Sequence, residues 1–283
     1  MAIMALGMGY NGSNPEVLEK IKSEVEGKIV STKKSGDFIV KKYVSAMEVH
    51  VEFLTTGYKT ISAAKEVRNG SVKDPLYPRV ASIGFLGIGE HSGTIEGCNK
   101  TTPAYEVWRG IIRRCYDKNC KSYLRYEDVD VCKEWHNFQN FAEWFYSQKH
   151  CEDGFAVDKD LKVIGSRLYS PETCSLVPCE VNSLFTGSNE NLKERNLPKG
   201  VHFCKDKTLY IAQIHKGELT KAGNKKQTYL GQFNSKVEAL SAYKVAKEDH
   251  VKEVANRFKN VLDLQVYNNL MEFEVDVSQW IKE

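Results

Sequence analysis

No stretch of this 283-residue chain approaches the roughly 20 consecutive apolar residues that a membrane-spanning helix needs. Its opening, Met1-Ala-Ile-Met-Ala-Leu-Gly-Met8, is apolar but short and lacks a basic leader, so it does not read as a secretion signal. Cysteine pairs of the CxxC type are missing as well. The eight cysteines are Cys98, Cys115, Cys120, Cys132, Cys151, Cys174, Cys179 and Cys204, and the spacing CxxxxC occurs at Cys115/Cys120 and Cys174/Cys179. Without the knuckle spacings, a structural zinc site is not expected, and reduced, buried thiols in a cytoplasmic protein are the simpler reading. A membrane protein and a disulfide-stapled secreted domain are both set aside. What is present is ordinary for a globular chain: 41% hydrophobic and 27% charged residues, in a length that allows two or three domains.

Charge is unevenly spread behind a net value of +3. Residues 1–102 carry 13 basic and 11 acidic side chains, residues 103–190 carry 11 and 14, and residues 199–260 carry 13 and 6. A small, strongly cationic C-terminal segment concentrates polyanions, so a phosphate backbone is the expected partner. A solvated basic surface with no partner is the plainer alternative.

Along the chain, Asn14-Pro15-Glu16-Val17 has helix-start chemistry, and apolar residues at 17, 18, 21 and 25 predict a short helix ended by Gly27. From Gly36 to Gly93 the pattern turns strand-like, with Asp37–Val40 and Val49–Phe53 rich in β-branched and aromatic residues. The apolar, glycine-spaced run Ile83–Gly89 contains GxxGxG, but no helix pattern follows it, which argues against a dinucleotide fingerprint and for a small β-module. Pro103–Cys115 predicts an amphipathic helix capped by Thr102, with the stripe Val107, Trp108, Ile111, Ile112 and Cys115. Trp135–Phe145 repeats the helical spacing with aromatic core residues. Beyond Lys199 the order is three strands and then a helix from a Ser235 cap. A polar hairpin loop is expected at Gly217–Gly223, and a short closing element after Val261.

The string Trp108…Arg114-Cys115-Tyr116…Val131-Cys132…Trp135…Trp144, continued by Val157-Asp158-Lys159-Asp160…Tyr169-Ser170-Pro171-Glu172-Thr173-Cys174…Pro178…Asn182, resembles a group of phage HNH endonucleases of the homing type. It covers about Pro103 to Phe185. In that family a hairpin and a helix clasp one divalent cation while a histidine activates water for attack on phosphorus. Carried over, Asp158 and Asn182 stand at the Mg²⁺ or Mn²⁺ ligands, and Asp160 matches a second acidic residue. Lys159 falls where the general-base histidine belongs, and Ser166 replaces an asparagine. Lysine as a residue type holds its proton at neutral pH unless burial or a nearby cation loosens it, though it can bind phosphate. His136 and His150 are the nearest histidines, and neither lies in the motif.

The last segment, Lys199-Gly200-Val201…Ala212-Gln213-Ile214…Leu230-Gly231-Gln232-Phe233…Glu238-Ala239…Ala242-Tyr243, is similar to the ethylene-response-factor (Apetala-type) DNA-binding domain. That resemblance implies a three-stranded sheet in the major groove with a helix behind it. The DNA-facing positions would be His202, Cys204, Gln213, His215, Gln227 and Tyr229, with Lys205, Lys207, Lys225 and Lys226 on phosphate. Leu230, Phe233, Ala239 and Tyr243 would form the core.

The expected fold class is multi-domain α+β. A helix and small β-module (1–98) would precede an HNH-like ββα-metal centre (99–192), a sheet-plus-helix DNA reader (193–260) and a closing segment (261–283). The expected function is a phage-encoded, metal-dependent DNA endonuclease in the cytoplasm of the infected host, with double-stranded DNA as its partner. Lys159 and Asp160 would act at the scissile phosphate. The alternative is a catalytically inactive DNA binder, a phage regulator or host-defence antagonist, with a host or phage protein as a possible further partner.

Overall fold

The computed structural model describes residues 15–151, 154–185, 197–198, 200–219 and 225–281. The chain divides into two compact α+β units, Met1–Tyr146 and Ser147–Glu283. This division falls inside the expected 99–192 segment. Among the described residues no helix is long and apolar enough to cross a membrane.

In the first unit, α1 (Pro15–Val25) starts at its proline and buries Ile21 and Val25. Gly27, in the left-handed region, donates its N–H to the Val40 carbonyl at 2.8 Å and turns the chain into a sheet. Strands β1 (Ile29–Ser31), β2 (Asp37–Ser45), β3 (Glu48–Phe53) and β4 (Lys59–Ser62) pair antiparallel in sequence order. Alternation in β3 sends Val49, Val51 and Phe53 into the core that α1 and α2 (Ala64–Asn69) help close.

The strand-like reading extended to Gly93, but the sheet stops at Ser62, and Ile83–Gly89 is irregular. Side-chain amides hold that segment instead. Gln139 donates to the carbonyls of Leu86 and His91 at 3.0 and 2.9 Å and accepts from the His91 N–H at 2.9 Å. A Cβ on Gly84 would lie 2.9 Å from the Trp108 ring, so the glycine spacing reflects close approach rather than strand pairing.

Helix α3 (Pro103–Tyr116) buries Trp108, Ile111, Ile112 and Cys115, as its stripe predicts. Thr102 occupies the cap position but makes no side-chain cap, because its hydroxyl donates to the Ser92 carbonyl at 3.0 Å. After the two-residue β5 (Asp130–Val131), the expected helix at Trp135–Phe145 is interrupted. A 3-10 turn at Lys133–His136 precedes α4 (Phe138–Ser147), with extended Asn137 between them. The Trp108 indole donates to the Trp135 carbonyl at 2.7 Å, a buried bond that an unbroken α-helix would have consumed internally.

In the second unit, β6 (Phe155–Asp158), β7 (Leu168–Tyr169), β8 (Ser175–Pro178) and α5 (Cys179–Ser183) are followed by β9 (Val201–Cys204), β10 (Leu209–Leu219) and β11 (Lys225–Phe233). Strands β6 and β8 pair antiparallel, and the last three form a sheet of order β11-β10-β9. The expected hairpin loop falls partly on residues 220–224, outside the described residues.

Helix α6 (Lys236–Arg257) begins with the capping box that Ser235 and Glu238 promise, and it is longer than its apolar pattern indicated. Its first half buries Ala239 and Leu240 against Val201 and Ala212. Its second half puts Val251, Val254 and Ala255 into a core shared with Leu161, Val177 and Val181. The closing segment forms α7 (Leu264–Met271) and α8 (Ser278–Ile281). Val266 and Leu270 enter that second core, while Val277 and Trp280 return to the first.

His250 on α6 is 3% exposed, and its Nδ1 has no hydrogen-bond partner among the described residues. Burial, then Lys247 and Lys216, push its pKa below the usual histidine range, against the opposing pull of Glu253 and Glu180. The unfolded imidazole takes up its proton near 6.5, before the folded one does. Stability from this site is therefore intact above pH 6.5 and declines as pH falls toward the folded pKa. Urea midpoints are expected to drop between pH 7.5 and 5.5, and His250→Leu should flatten that dependence. An unchanged slope in the variant would remove His250 as a source.

Candidate nucleic-acid interface and carboxylate–amide site

The sheet β9–β11 has two chemically distinct faces. Val201, Ala212 and Ile214 are buried on the side toward α6, with Leu230, Phe233 and Tyr243 packed there, as expected for a core. Alternation places the intervening residues on the other side. Cross-strand pairing aligns His202 with Ile211, Ile211 with Gln232, Gln213 with Tyr229, and His215 with Gln227, while Cys204 pairs with Leu209. All six sequence-predicted reading positions therefore share one face. Tyr229 is 59% exposed, and Gln227 and His202 are also exposed.

Gln213 sits just past a register shift between Ala212 and Gln213. Its N–H donates to the Gly200 carbonyl at 2.8 Å. A Cβ on Gly200 would collide with the Gln213 carbonyl and the Tyr243 ring, so glycine alone permits the approach that fixes this bulge. The His215 ring is anchored through Nδ1, which lies 3.1 Å from the Lys226 carbonyl and 3.2 Å from the Gly217 N–H. Lys205 and Lys207 are exposed in the β9–β10 turn, and Lys226 is exposed on β11. Lys225 opens β11, and its side chain lies outside the described residues.

The second candidate site lies at the end of β6. Asp158 pairs with Ser175, and its Oδ1 accepts the N–H groups of Asp160 and Leu161 at 2.8 and 2.7 Å. Burial pushes the Asp158 carboxyl above its ordinary range, and those two N–H bonds oppose the shift without cancelling it. Asn182 is half-buried on α5 beside the fully buried Val181. Leu161 and Val181 belong to one core, which is how the fold associates the Asp158 turn with the Asn182 helix.

Lys159 is tied into its own loop. It is 7% exposed, and its Nζ donates to Asp160 Oδ1 at 2.6 Å and to the Ser166 carbonyl at 2.7 Å, with the Tyr169 ring 5.9 Å away. The structure thus gives Lys159 and Asp160 a definite occupation: they close the loop from 159 to 168. Ser166, at the position of the expected asparagine, contributes its carbonyl to that closure. His150 stacks on Phe155 with ring centroids 5.2 Å apart. Phe155 lies three residues, about 10 Å, along the strand from Asp158 and on the opposite face by alternation.

By residue chemistry, the Asp158 carboxylate and the Asn182 amide each carry an oxygen of the kind a hard cation takes. That is within what Mg²⁺ takes from a protein when water and phosphate complete its shell. Among the described residues no group of three His, Cys, Asp or Glu gathers for a metal. The expected burial of the cysteines holds for Cys115 and Cys174, whereas Cys120, Cys132, Cys151 and Cys204 are partly buried and Cys98 and Cys179 exposed.

The sequence reading passed over the joint between α5 and α6. There Arg257 pairs with Glu180 at 2.6 Å, and Lys247 donates to the Leu184 carbonyl at 2.7 Å. Burial pulls the Lys247 ammonium down to about 8. On helical spacing alone these residues read as solvated. No family model, curated protein or solved structure matches this chain.

If Lys159 is a loop strut, Lys159→Ala should destabilise the second unit by about 1–3 kcal/mol in urea unfolding, the range for losing charged hydrogen bonds at a buried group. Asp160 is half-exposed, which places the outcome toward the lower end. A variant with unchanged unfolding free energy would contradict the strut.

Proposed function

We propose that this chain is a double-stranded DNA-binding protein that reads duplex through the open face of β9–β11. The observation that carries this reading is the composition of that face. His202, Gln213, His215, Gln227 and Tyr229 share it, exposed lysines border it, and among the described residues its aligned positions hold no carboxylate. The resemblance to the ethylene-response-factor domain supports the same reading. A twisted sheet fits a major groove about 12 Å wide, where Gln213 or Gln227 can pair bidentately with adenine. Lys205, Lys207 and Lys226 then meet phosphates, which set affinity and register rather than sequence. The β6–β8–α5 segment serves as a further platform beside this reader, tied to it through α6.

A metal-dependent nuclease is the second reading, favoured by the half-buried Asp158 carboxylate and the Asn182 amide. Mg²⁺ or Mn²⁺ held by those two residues would supply Lewis-acid polarisation of a phosphate oxygen. Weighing against it, the Lys159 ammonium is committed to its own loop, and His150 lies on the wrong face of β6. The non-catalytic reading therefore takes precedence.

Fluorescence anisotropy with a duplex of about 25 base pairs tests both. Log affinity should fall linearly with log salt. Gln213→Ala and Tyr229→Ala should each weaken binding by about 1–3 kcal/mol and relax sequence preference. Lys207→Gln should weaken all duplexes alike and lower the salt slope by about one. A purified chain that ignores DNA in dilute buffer would end this reading. Mn²⁺-dependent nicking abolished by Asp158→Asn would restore the nuclease.

A further inference from the structure

Helix α3 contains a glycine that nothing in the fold requires. Gly110 sits opposite the buried stripe of Trp108, Ile111, Ile112 and Cys115. A Cβ there would meet only the Arg114 guanidinium, at 3.5 Å, an ordinary van der Waals distance. Its φ is not in the left-handed region either. Alanine would fit, and glycine inside a helix is a stability loss relative to alanine. The other glycines of this unit that meet side chains closely, such as Gly84, are explained by packing.

The surroundings of Gly110 are cationic. Arg109, Arg113 and Arg114 flank it on α3, and Lys118, Lys121 and Arg125 continue the basic run past the helix end. Two of the carboxylates on this surface, Glu106 and Asp117, are occupied, and the exposed Glu127 and Asp128 follow the basic run at its far end. Glu106 accepts the Thr101 hydroxyl, and Asp117 is held by the Asn119 N–H and by Arg113, which keep its carboxyl below the ordinary range. Arg114 is fixed before any ligand arrives: its Nε donates to the Gly110 carbonyl at 3.1 Å, and its guanidinium lies 5.4 Å from the Tyr126 ring centroid. Among the described residues Arg109 makes no ion pair; it lies 5.8 Å from the Tyr105 ring centroid.

We infer that the Gly110 face of α3 is a second DNA contact, where a phosphodiester strand lies against the bare helix backbone between arginines. Arginine forks bind phosphate bidentately, and a missing Cβ lets the strand approach closely enough for them to do so. Duplex DNA is the occupant because α3 around Gly110 offers fixed cations and, among the described residues, no exposed large apolar side chain; the exposed Leu124 lies beyond the helix end. The inference rests on the DNA-binding reading, but it concerns the other unit and different residues.

The test uses the full chain and the same labelled duplex. Gly110→Ala should raise the melting temperature, on the order of 2–4 °C, while weakening DNA binding several-fold. Arg109→Gln with Arg113→Gln should lower the salt slope by about two. A stabilised Gly110→Ala protein with unchanged affinity, alongside an unchanged slope in the double variant, overturns the inference. So does a Gly110→Ala protein that is less stable than wild type, since packing would then explain the glycine. If the α3 variants weaken binding while Gln213→Ala does not, the inference stands and the sheet reading fails. The reverse pattern removes α3 and leaves the sheet.

Discussion

The second unit depends on one helix being shared between two cores. α6 runs 22 residues, about 33 Å at 1.5 Å per residue. Ala239 and Leu240 close the sheet β9–β11 near one end, and Val251, Val254 and Ala255 close the β6–β8–α5 core near the other. Neither assembly is large. Three strands without the helix behind them, or the β6–β8 pair with a five-residue helix, bury too little apolar surface to be stable alone. Sharing a helix makes each a condition of the other's folding. The chain end reinforces this by returning along α6, where the Val275 N–H donates to Glu248 at 2.8 Å and its carbonyl accepts from Lys244 at 3.2 Å.

That arrangement explains what could and could not be read in advance. Local chemistry was legible. The capping box at Ser235, the proline start at Pro15 and the stripe of α3 each depend on residues within one or two turns of one another. The face of β9–β11 was legible for the same reason, because strand alternation needs only a correct strand assignment. The double role of α6 was not, since its apolar residues point to two partners and give no single helical stripe. The break at Asn137 was also hidden, because Trp135 and Phe138 keep helical spacing although a long-range bond from Trp108 takes the carbonyl between them.

Lys159 shows the limit most clearly. In sequence it occupies the place of a catalytic base beside a candidate metal ligand, and charge alone suggests exposure. Its direction is set by two acceptors, and the decisive one, the Ser166 carbonyl, lies seven residues away across a loop. A buried ammonium needs partners to offset desolvation, and the loop folds so as to provide them. The same loop also engages Asp158, with one oxygen spent on two backbone N–H groups. A carboxylate so used is at once a turn stabiliser and, through its remaining oxygen, a possible ligand, and these two uses do not compete.

The cations are distributed in keeping with the proposed binding. A chain of net charge +3 has no strong overall field, so long-range steering would be modest at physiological salt, where screening acts over about 8 Å. Attraction must then be local. The residues at issue are local: lysines at the border of one sheet, and arginines around a bare stretch of one helix. Arginine fixed on Tyr126 or beside Tyr105 has already lost part of its rotamer freedom, so less is lost when phosphate arrives. Under the proposed binding, a nearly neutral protein would hold a polyanion through such local contacts rather than through its net charge.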